Sequence, residues 1–306
     1  MTADQALIFL AGIVGGALRV GAPFLFVSLG ECLTEKSGRI NLGLEGVLVL
    51  SAMSAFGASY LSGSAWIGVL AAALTGGLLA TLHGVLCSLP RVNDVATGIA
   101  LMLLGTGLAF YLGKPLIQPQ APQLPFLALG NWSDSAAVRS ALQVNALVPI
   151  GLALAVALWW AFANTRAGLL VRMAGDSANA TRALGYSVSG IRIASTAAGG
   201  MIAGLGGACL TLFYPGSWNE GISSGQGLIA VALVIFARWS PIRCVGAALL
   251  FGGAGAIGPA LQSVGIGWGY HLFNIVPYVL TLLILVISCR PGSVVSGSPG
   301  ELGSKQ

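Results

Sequence analysis

The run Gly199-Gly200-Met201-Ile202-Ala203-Gly204-Leu205-Gly206-Gly207 lies inside an apolar segment that extends from about 192 to 213. A stretch of about 20 apolar residues crosses the hydrocarbon core of a bilayer. Glycines within such a stretch let two helices approach backbone to backbone, where close packing replaces the hydrophobic effect as the adhesive force. The whole chain has the same character. Of its 306 residues 56% are hydrophobic and 8% charged, against roughly 25% charged in soluble domains. Glycine contributes 45 residues, about twice the usual share of about 7%, with no Gly-X-Y period. Mean hydropathy is +0.88. With 14 basic and 9 acidic residues the chain cannot clothe a water-facing surface of this size, which excludes an ordinary soluble protein. The composition predicts an all-α polytopic membrane protein.

Apolar windows predict about nine transmembrane helices, within a range of eight to ten, near 6–29, 42–61, 65–88, 95–113, 146–163, 192–213, 222–237, 244–262 and 270–289. The first carries Arg19, which leaves open a continuous helix or an interfacial helix followed by a shorter crossing. The seventh is short and holds Ser223, Ser224 and Gln226, a re-entrant pattern. Nine crossings gather Lys36, Arg39, Arg91, Arg166, Arg172, Arg182, Arg192, Arg238, Arg243, Arg290 and Lys305 on one side and leave Lys114 and Arg139 on the other. Basic residues mark cytoplasmic loops, so the N-terminus is expected outside and the C-terminus inside. The seventh segment must then cross, or Arg238 and Arg243 would move outside. The tryptophans fall near span ends and read as interfacial anchors. The +5 net charge is thereby topological and implies no nucleic-acid partner.

Residues 1–290 read as one transmembrane domain, with no soluble domain, and the N-terminus lacks the basic n-region of a removable signal peptide. The outer segment 114–145 carries Pro115, Pro119, Pro122 and Pro125, the longest inner loop spans 164–191, and the Gly/Ser-rich tail 291–306 is expected to be disordered. Cys32, Cys87, Cys209, Cys244 and Cys289 are scattered and read as buried thiols. His83 and His271 offer no metal spacing, so neither metal nor cofactor is expected. No GxxxxGK[ST] occurs, so ATP hydrolysis, if it powers the protein, takes place on another chain. Gly221-Ile222-Ser223-Ser224-Gly225 matches GxSxG, but a nucleophile elbow needs strand–turn–helix context and a base. This segment is a glycine-rich approach to a helix, and a membrane enzyme would rest on Ser223 alone.

Two inner features carry more. In 164–191, Asp176 or Ser177 can cap a helix that Gly185 closes in a left-handed conformation. Between them Ala178, Ala180, Ala183 and Leu184 make a small-residue surface that fits a shallow groove on a partner, or else an ordinary connector helix. In the segment Gly30–Gly46, Asn41 and Glu45 stand one turn apart at the start of an apolar span. Glu45 there either enjoys its own helix N-terminus, with Asn41 as cap, or lines a gate. Asn93, Asp94, His83 and Asn274 are further polar residues near spans, each readable as path lining, cap or interhelical bond.

At these residues the sequence resembles the permease subunits of ABC importers for branched-chain amino acids, ribose-type sugars and nucleosides. Thr34-Glu35-Lys36-Ser37-Gly38-Arg39-Ile40-Asn41-Leu42-Gly43-Leu44-Glu45-Gly46 resembles that family's N-terminal signature in its nucleoside or simple-sugar form. Arg91-Val92-Asn93-Asp94-Val95-Ala96-Thr97-Gly98-Ile99-Ala100-Leu101 resembles the next inner turn. Thr165-Arg166-Ala167-Gly168 with Gly175 to Gly185 is similar to the ATPase-coupling loop. Gly225-Gln226-Gly227-Leu228-Ile229-Ala230-Val231-Ala232 followed by Arg238-Trp239-Ser240-Pro241 resembles the late pair of segments. The likeness runs from about 20 to 289. Met102 stands where relatives commonly carry Asn, and Ala237 where Gly is expected.

The resemblance implies a multi-pass permease of the bacterial inner membrane. It would import a nucleoside or related sugar, drawing energy from a separate ATP-binding subunit. Its expected partners are a second, related but non-identical permease and an extracytoplasmic solute-binding protein. Gly175, Asp176, Ser177, Ala180, Arg182, Ala183 and Gly185 would couple to the ATPase, and Asn41, Glu45, Asn93, Asp94, His83 and Asn274 are candidates for the path or gate. The alternative class is a stand-alone secondary transporter or channel, which commonly carries intramembrane carboxylates for its coupling ion; Glu45 is the sequence's candidate.

Overall fold

A computed structural model describes residues 3–117, 119–213, 216–263, 275–276, 279, 282–283, 286 and 297–302. In chain order the helices are α1 (Ala3–Lys36), α2 (Leu44–Ser62), α3 (Ala65–Leu86), α4 (Asp94–Gly113), α5 (Ala136–Ala141), α6 (Leu147–Asn164), α7 (Arg166–Asp176), α8 (Ala178–Ala183), α9 (Val188–Leu212), α10 (Gln226–Phe236) and α11 (Pro241–Ser263). Seven of these, α1, α2, α3, α4, α6, α9 and α11, are long and apolar enough to cross a membrane. The ninth expected span, 270–289, lies largely outside the described residues, as do Asn274, His271 and Cys289.

Three differences from the expected helix pattern have physical causes. The first span is one unbroken helix of 34 residues, Pro23 included. At 1.5 Å per residue it is about 51 Å long, well beyond the ~30 Å hydrocarbon core. Arg19 does not break it, because its Nε donates to the Gln143 carbonyl (2.9 Å) and its Nη2 to that of Ser140 (2.5 Å). Secondly, the Pro-rich segment is not purely irregular. Phe126–Ala128 pairs antiparallel with Gln143–Asn145, with Leu127 opposite Val144, around α5, so the all-α expectation needs this small ribbon added. Thirdly, the described part of the tail, 297–302, ends in a 3-10 turn at Gly300–Leu302 that packs beside α7. Glu301 and Leu302 supply a charge and an apolar contact that a Gly/Ser composition count overlooks.

α9 is the hub. Its glycine run faces α1, α2 and α3, and a Cβ on Gly199 would overlap the Gly30 carbonyl, while one on Gly200 would overlap Ala80. Here only glycine permits the crossing. Burial follows: 78% of the most apolar window of α2 is inside the protein, against 22% for α4 and 28% for α6. Leu103, Tyr111, Trp159 and Trp160 are correspondingly exposed on the outer helices, as lipid-facing side chains. Not every tryptophan is an interfacial anchor, since Trp218 and Trp239 are buried. Cys32, Cys87, Cys209 and Cys244 are buried free thiols.

Candidate functional site

The polar residues concentrate at one end of the bundle, where α1 meets α2, α3 meets α4, α6 leads through α7 and α8 to α9, and α10 meets α11. The turn after α1 organises this basic end. Gly38 takes φ +87°, a left-handed value suited to glycine, and its N–H donates to the Glu35 carbonyl (2.9 Å). Arg39 then reaches Asp94 at the start of α4 (2.5 Å), both buried. His83 Nε2 donates to the Ile40 carbonyl (3.1 Å), which fixes the proton on Nε2. The Asn41 N–H donates to Glu31 (2.8 Å), and Asn41 Oδ1 accepts from the Gly43 N–H (2.9 Å). Asn41 therefore caps a turn rather than α2 itself, whose N-cap Gly43 makes no side-chain bond. Asn93 is the exposed N-cap of α4, accepting from the Ala96 N–H (3.0 Å).

Glu45 does something the sequence reading did not offer. Its carboxylate accepts from the Ser223 hydroxyl (2.5 Å) and from the N–H groups of Gly225 (3.2 Å) and Gly227 (2.7 Å). It thus satisfies the start of α10 rather than its own helix. α10 has 11 residues, about 16 Å, too short to cross alone. The segment before it descends without helix, from Trp218, against which Gly113 at the end of α4 is packed, to Gly225. Gly46 lies against Met102, well inside α4, so Glu45 sits at depth. Free N–H groups at such depth are tolerated only when protein satisfies them, and Glu45 does so. The expected span 222–237 is in fact a turn at 219–225 and a half-length helix. The Ser223 proton is directed at a carboxylate, not presented to a histidine, and His83 is engaged at Ile40.

Two more carboxylates are buried on α1 one turn apart. Glu31 bonds Asn41, and Glu35 accepts from the Trp239 indole N–H. Both lie beyond the apolar window that ends near 29, and their i, i+4 spacing is that of one face of a continuing helix.

The 164–191 segment forms the Ser177 and Gly185 caps expected of it and a further one at Thr165. The Thr165 hydroxyl accepts from the Gly168 N–H (3.0 Å) to start α7, and the Ser177 hydroxyl accepts from the Ala180 N–H (3.2 Å) to start α8. α8 closes with Gly185 at φ +83°, the Gly185 N–H bonded to the Arg182 carbonyl (2.9 Å) and the Tyr186 N–H to that of Thr181 (3.2 Å). This is the Schellman pattern. Ala178 and Thr181 face inward, so Ala178 leaves the expected small-residue surface. The outward side holds Asn179, Ala180, Arg182 and Ala183, followed by Leu184 at 62% and Tyr186 at 49% exposure.

Gly175 joins this segment to the α1–α2 turn: a Cβ there would overlap the Lys36 carbonyl, and Asp176 beside it is exposed. Arg192, at the start of the second turn of α9, donates to the carbonyls of Ser37 (3.0 Å) and Ala174 (3.0 Å). A cavity of about 570 Å³ opens between these parts, lined among others by Arg39, Arg91, Asn93, Arg182, Arg192 and Glu301. At its rim burial pushes the Cys87 thiol up to about 12.

Of the sequence-derived candidates, Asn41, His83 and Asp94 meet around the 37–43 turn, Glu45 meets α10, Asn93 stands at the cavity, and Asn274 is not described. Arg192, Glu31 and Glu35 join them unannounced.

The family described as branched-chain amino acid transport system / permease component matches residues 13–287. The putative glucose ABC transporter permease protein TsgC13 of Haloferax volcanii is 30% identical over 84% of this chain and 80% of its own. The nucleoside ABC transporter permease protein NupC of Lactococcus lactis and the guanosine ABC transporter permease protein NupQ of Bacillus subtilis are each 28% identical, over 90% of this chain and 91% of theirs. A multi-pass membrane chain matched over nearly its whole length in this way belongs to the permease-component family of ABC transporters, whose ATP hydrolysis is carried out on a partner chain.

Proposed function

We propose that this chain is the permease subunit of an importer for a nucleoside or related simple sugar in a bacterial inner membrane. The solutes for which those relatives are named, guanosine, nucleoside and glucose, support that class. Its partners are an ATP-binding subunit, a second related but non-identical permease and an extracytoplasmic solute-binding protein. The basic end faces the cytoplasm: it carries Lys36, Arg39, Arg91, Arg166, Arg172, Arg182, Arg192, Arg238 and Arg243, while Lys114 and Arg139 lie at the other. The indole of Trp239 on Glu35 supports placing 238–243 at that same end, with 213–236 as one crossing made of loop and half-helix. That makes eight crossings among the described residues, and the expected span 270–289 would bring the count to nine, with the N-terminus outside and the C-terminus inside.

The observation that carries the reading is the interlock at Gly175. The capped helix α8 exposes Ala180, Arg182 and Ala183 for an ATPase groove, while the residues behind it rest backbone to backbone on the turn that holds Arg39 and Asn41. Asp176, Ser177 and Gly185 shape α8, and movement imposed on it reaches the α1–α2 turn without passing through side-chain slack. Asn41, Glu45, Asp94 and His83 then act as parts of the inner gate.

Ala180→Trp and Ala183→Trp test this. Each adds a bulky ring to an exposed surface, so the protein inserts and melts normally but loses the copurifying ATPase. An ATPase that still copurifies in wild-type amount would remove the coupling role from α8.

A further inference from the structure

The C-terminal segment returns to α8 and fastens it. The Lys36 ammonium donates to the Gly297 carbonyl (3.2 Å). Gly300 lies so close to Asp176 that a Cβ would stand 2.6 Å from the Asp176 carbonyl oxygen. Glu301 accepts from the Ala178 N–H (2.9 Å) with one oxygen and faces Arg192 Nη2 (3.3 Å) with the other. Leu302 packs against the core cluster that contains Leu33 and Trp239.

Arg192 sits at the centre of this contact. Its side chain is 8% exposed and that of Glu301 24%, so water competes weakly for the pair. One planar guanidinium bonds Ser37 on the α1–α2 turn, Ala174 at the end of α7 and Glu301 on the tail. The guanidinium is rigid and its donors have fixed directions, so the three partners cannot shift independently without breaking a bond. Through Glu301 the same fork reaches the first N–H of α8. The link from α8 to the 37–43 turn is therefore double, through the Gly175 backbone and through Arg192 with the tail.

We propose that Arg192 and Glu301 are positioning residues for energy coupling, with segment 297–302 as the clamp that makes α8 and the α1–α2 turn move as one body. The inference rests on the reading of α8 as the ATPase contact. Without the clamp α8 still offers its outer face to an ATPase, but its displacement is taken up at the loosened joint instead of moving the gate.

The test uses the complete complex in liposomes, with ATP hydrolysis and solute uptake measured on the same vesicles. A chain ending at Ser296 keeps every span and all of α7 and α8. The ATPase should copurify as before and hydrolyse ATP, while solute moved per ATP falls about fivefold or more, the lower range of typical coupling effects. Glu301→Gln keeps the tail and the helices intact yet removes the charge, and should lower the same ratio in the same direction. It supplies the answer where truncation reduces yield. A merely structural role would lower hydrolysis and uptake together and leave their ratio unchanged. An unchanged ratio in both variants, or loss of ATPase binding in the truncated chain, overturns the clamp. Failure of the wild-type chain to bind an ATPase would instead overturn the reading of α8.

Discussion

Replacing Glu45 with alanine should destabilise the protein by an amount the geometry allows to be worked out. The carboxylate serves three donors: the Ser223 hydroxyl at 2.5 Å and the N–H groups of Gly225 and Gly227 at 3.2 and 2.7 Å. The hydroxyl can rotate towards another acceptor. The two backbone N–H groups cannot, and they sit within the protein at the start of a half-length helix. Each buried donor left unsatisfied costs about 1–3 kcal/mol, so Glu45→Ala should cost about 2–6 kcal/mol. That is a large part of a typical stability of about 5–15 kcal/mol. Glu45→Gln keeps one acceptor oxygen but turns an NH2 towards a donor, and should cost about 1–3 kcal/mol. Ser223→Ala should cost about 1 kcal/mol, and the double variant with Glu45→Ala less than the sum, because both remove the same bond. Denaturation of the purified protein in mixed micelles, followed by tryptophan fluorescence, gives the order wild type, Ser223→Ala, Glu45→Gln, Glu45→Ala. Coincident midpoints for wild type and Glu45→Ala would refute the claim that Glu45 holds the start of α10.

Gly200→Val should prevent folding, since its Cβ overlaps Ala80 across the α9–α3 crossing, whereas Gly107→Ala, with open space around it, should match or exceed wild type by up to about 1 kcal/mol; detergent size-exclusion profiles distinguish them. Arg39→Met leaves the buried Asp94 without its guanidinium and should cost about 3–5 kcal/mol, while adding Asp94→Leu should recover part of that, as read by melting in detergent. Cys87 is 3% exposed and its raised pKa keeps it a neutral thiol, a contribution present below the usual ~8.5 and lost as pH rises towards about 12. Peptide mapping should therefore find Cys87 unlabelled by maleimide in the folded protein at neutral pH and labelled after unfolding.

Much of this was legible in the residues because it depends on local chemistry. The caps of α8 at Ser177 and Gly185 follow from short-range bonding, and the glycine run of α9 announced a close crossing. What escaped the sequence depends on contacts between distant segments. Glu45 is separated in the chain from the half-helix it serves, and no periodicity connects them. Glu31 and Glu35 looked like loop residues because hydropathy averaging ends a span where charges begin, although the helix continues through them to Lys36. Glu301 sat in a tail whose composition argued for disorder, and its bonds to Arg192 and the Ala178 N–H join segments far apart in the chain.

The central claim is that this chain works as one part of an ATP-driven assembly, and purification from its native membrane in mild detergent tests it most directly. Mass spectrometry of the tagged protein should find an ATP-binding subunit and a second, related permease with it, and uptake in vesicles should require ATP. A chain that purifies alone and still moves solute down an ion gradient without ATP would contradict the account.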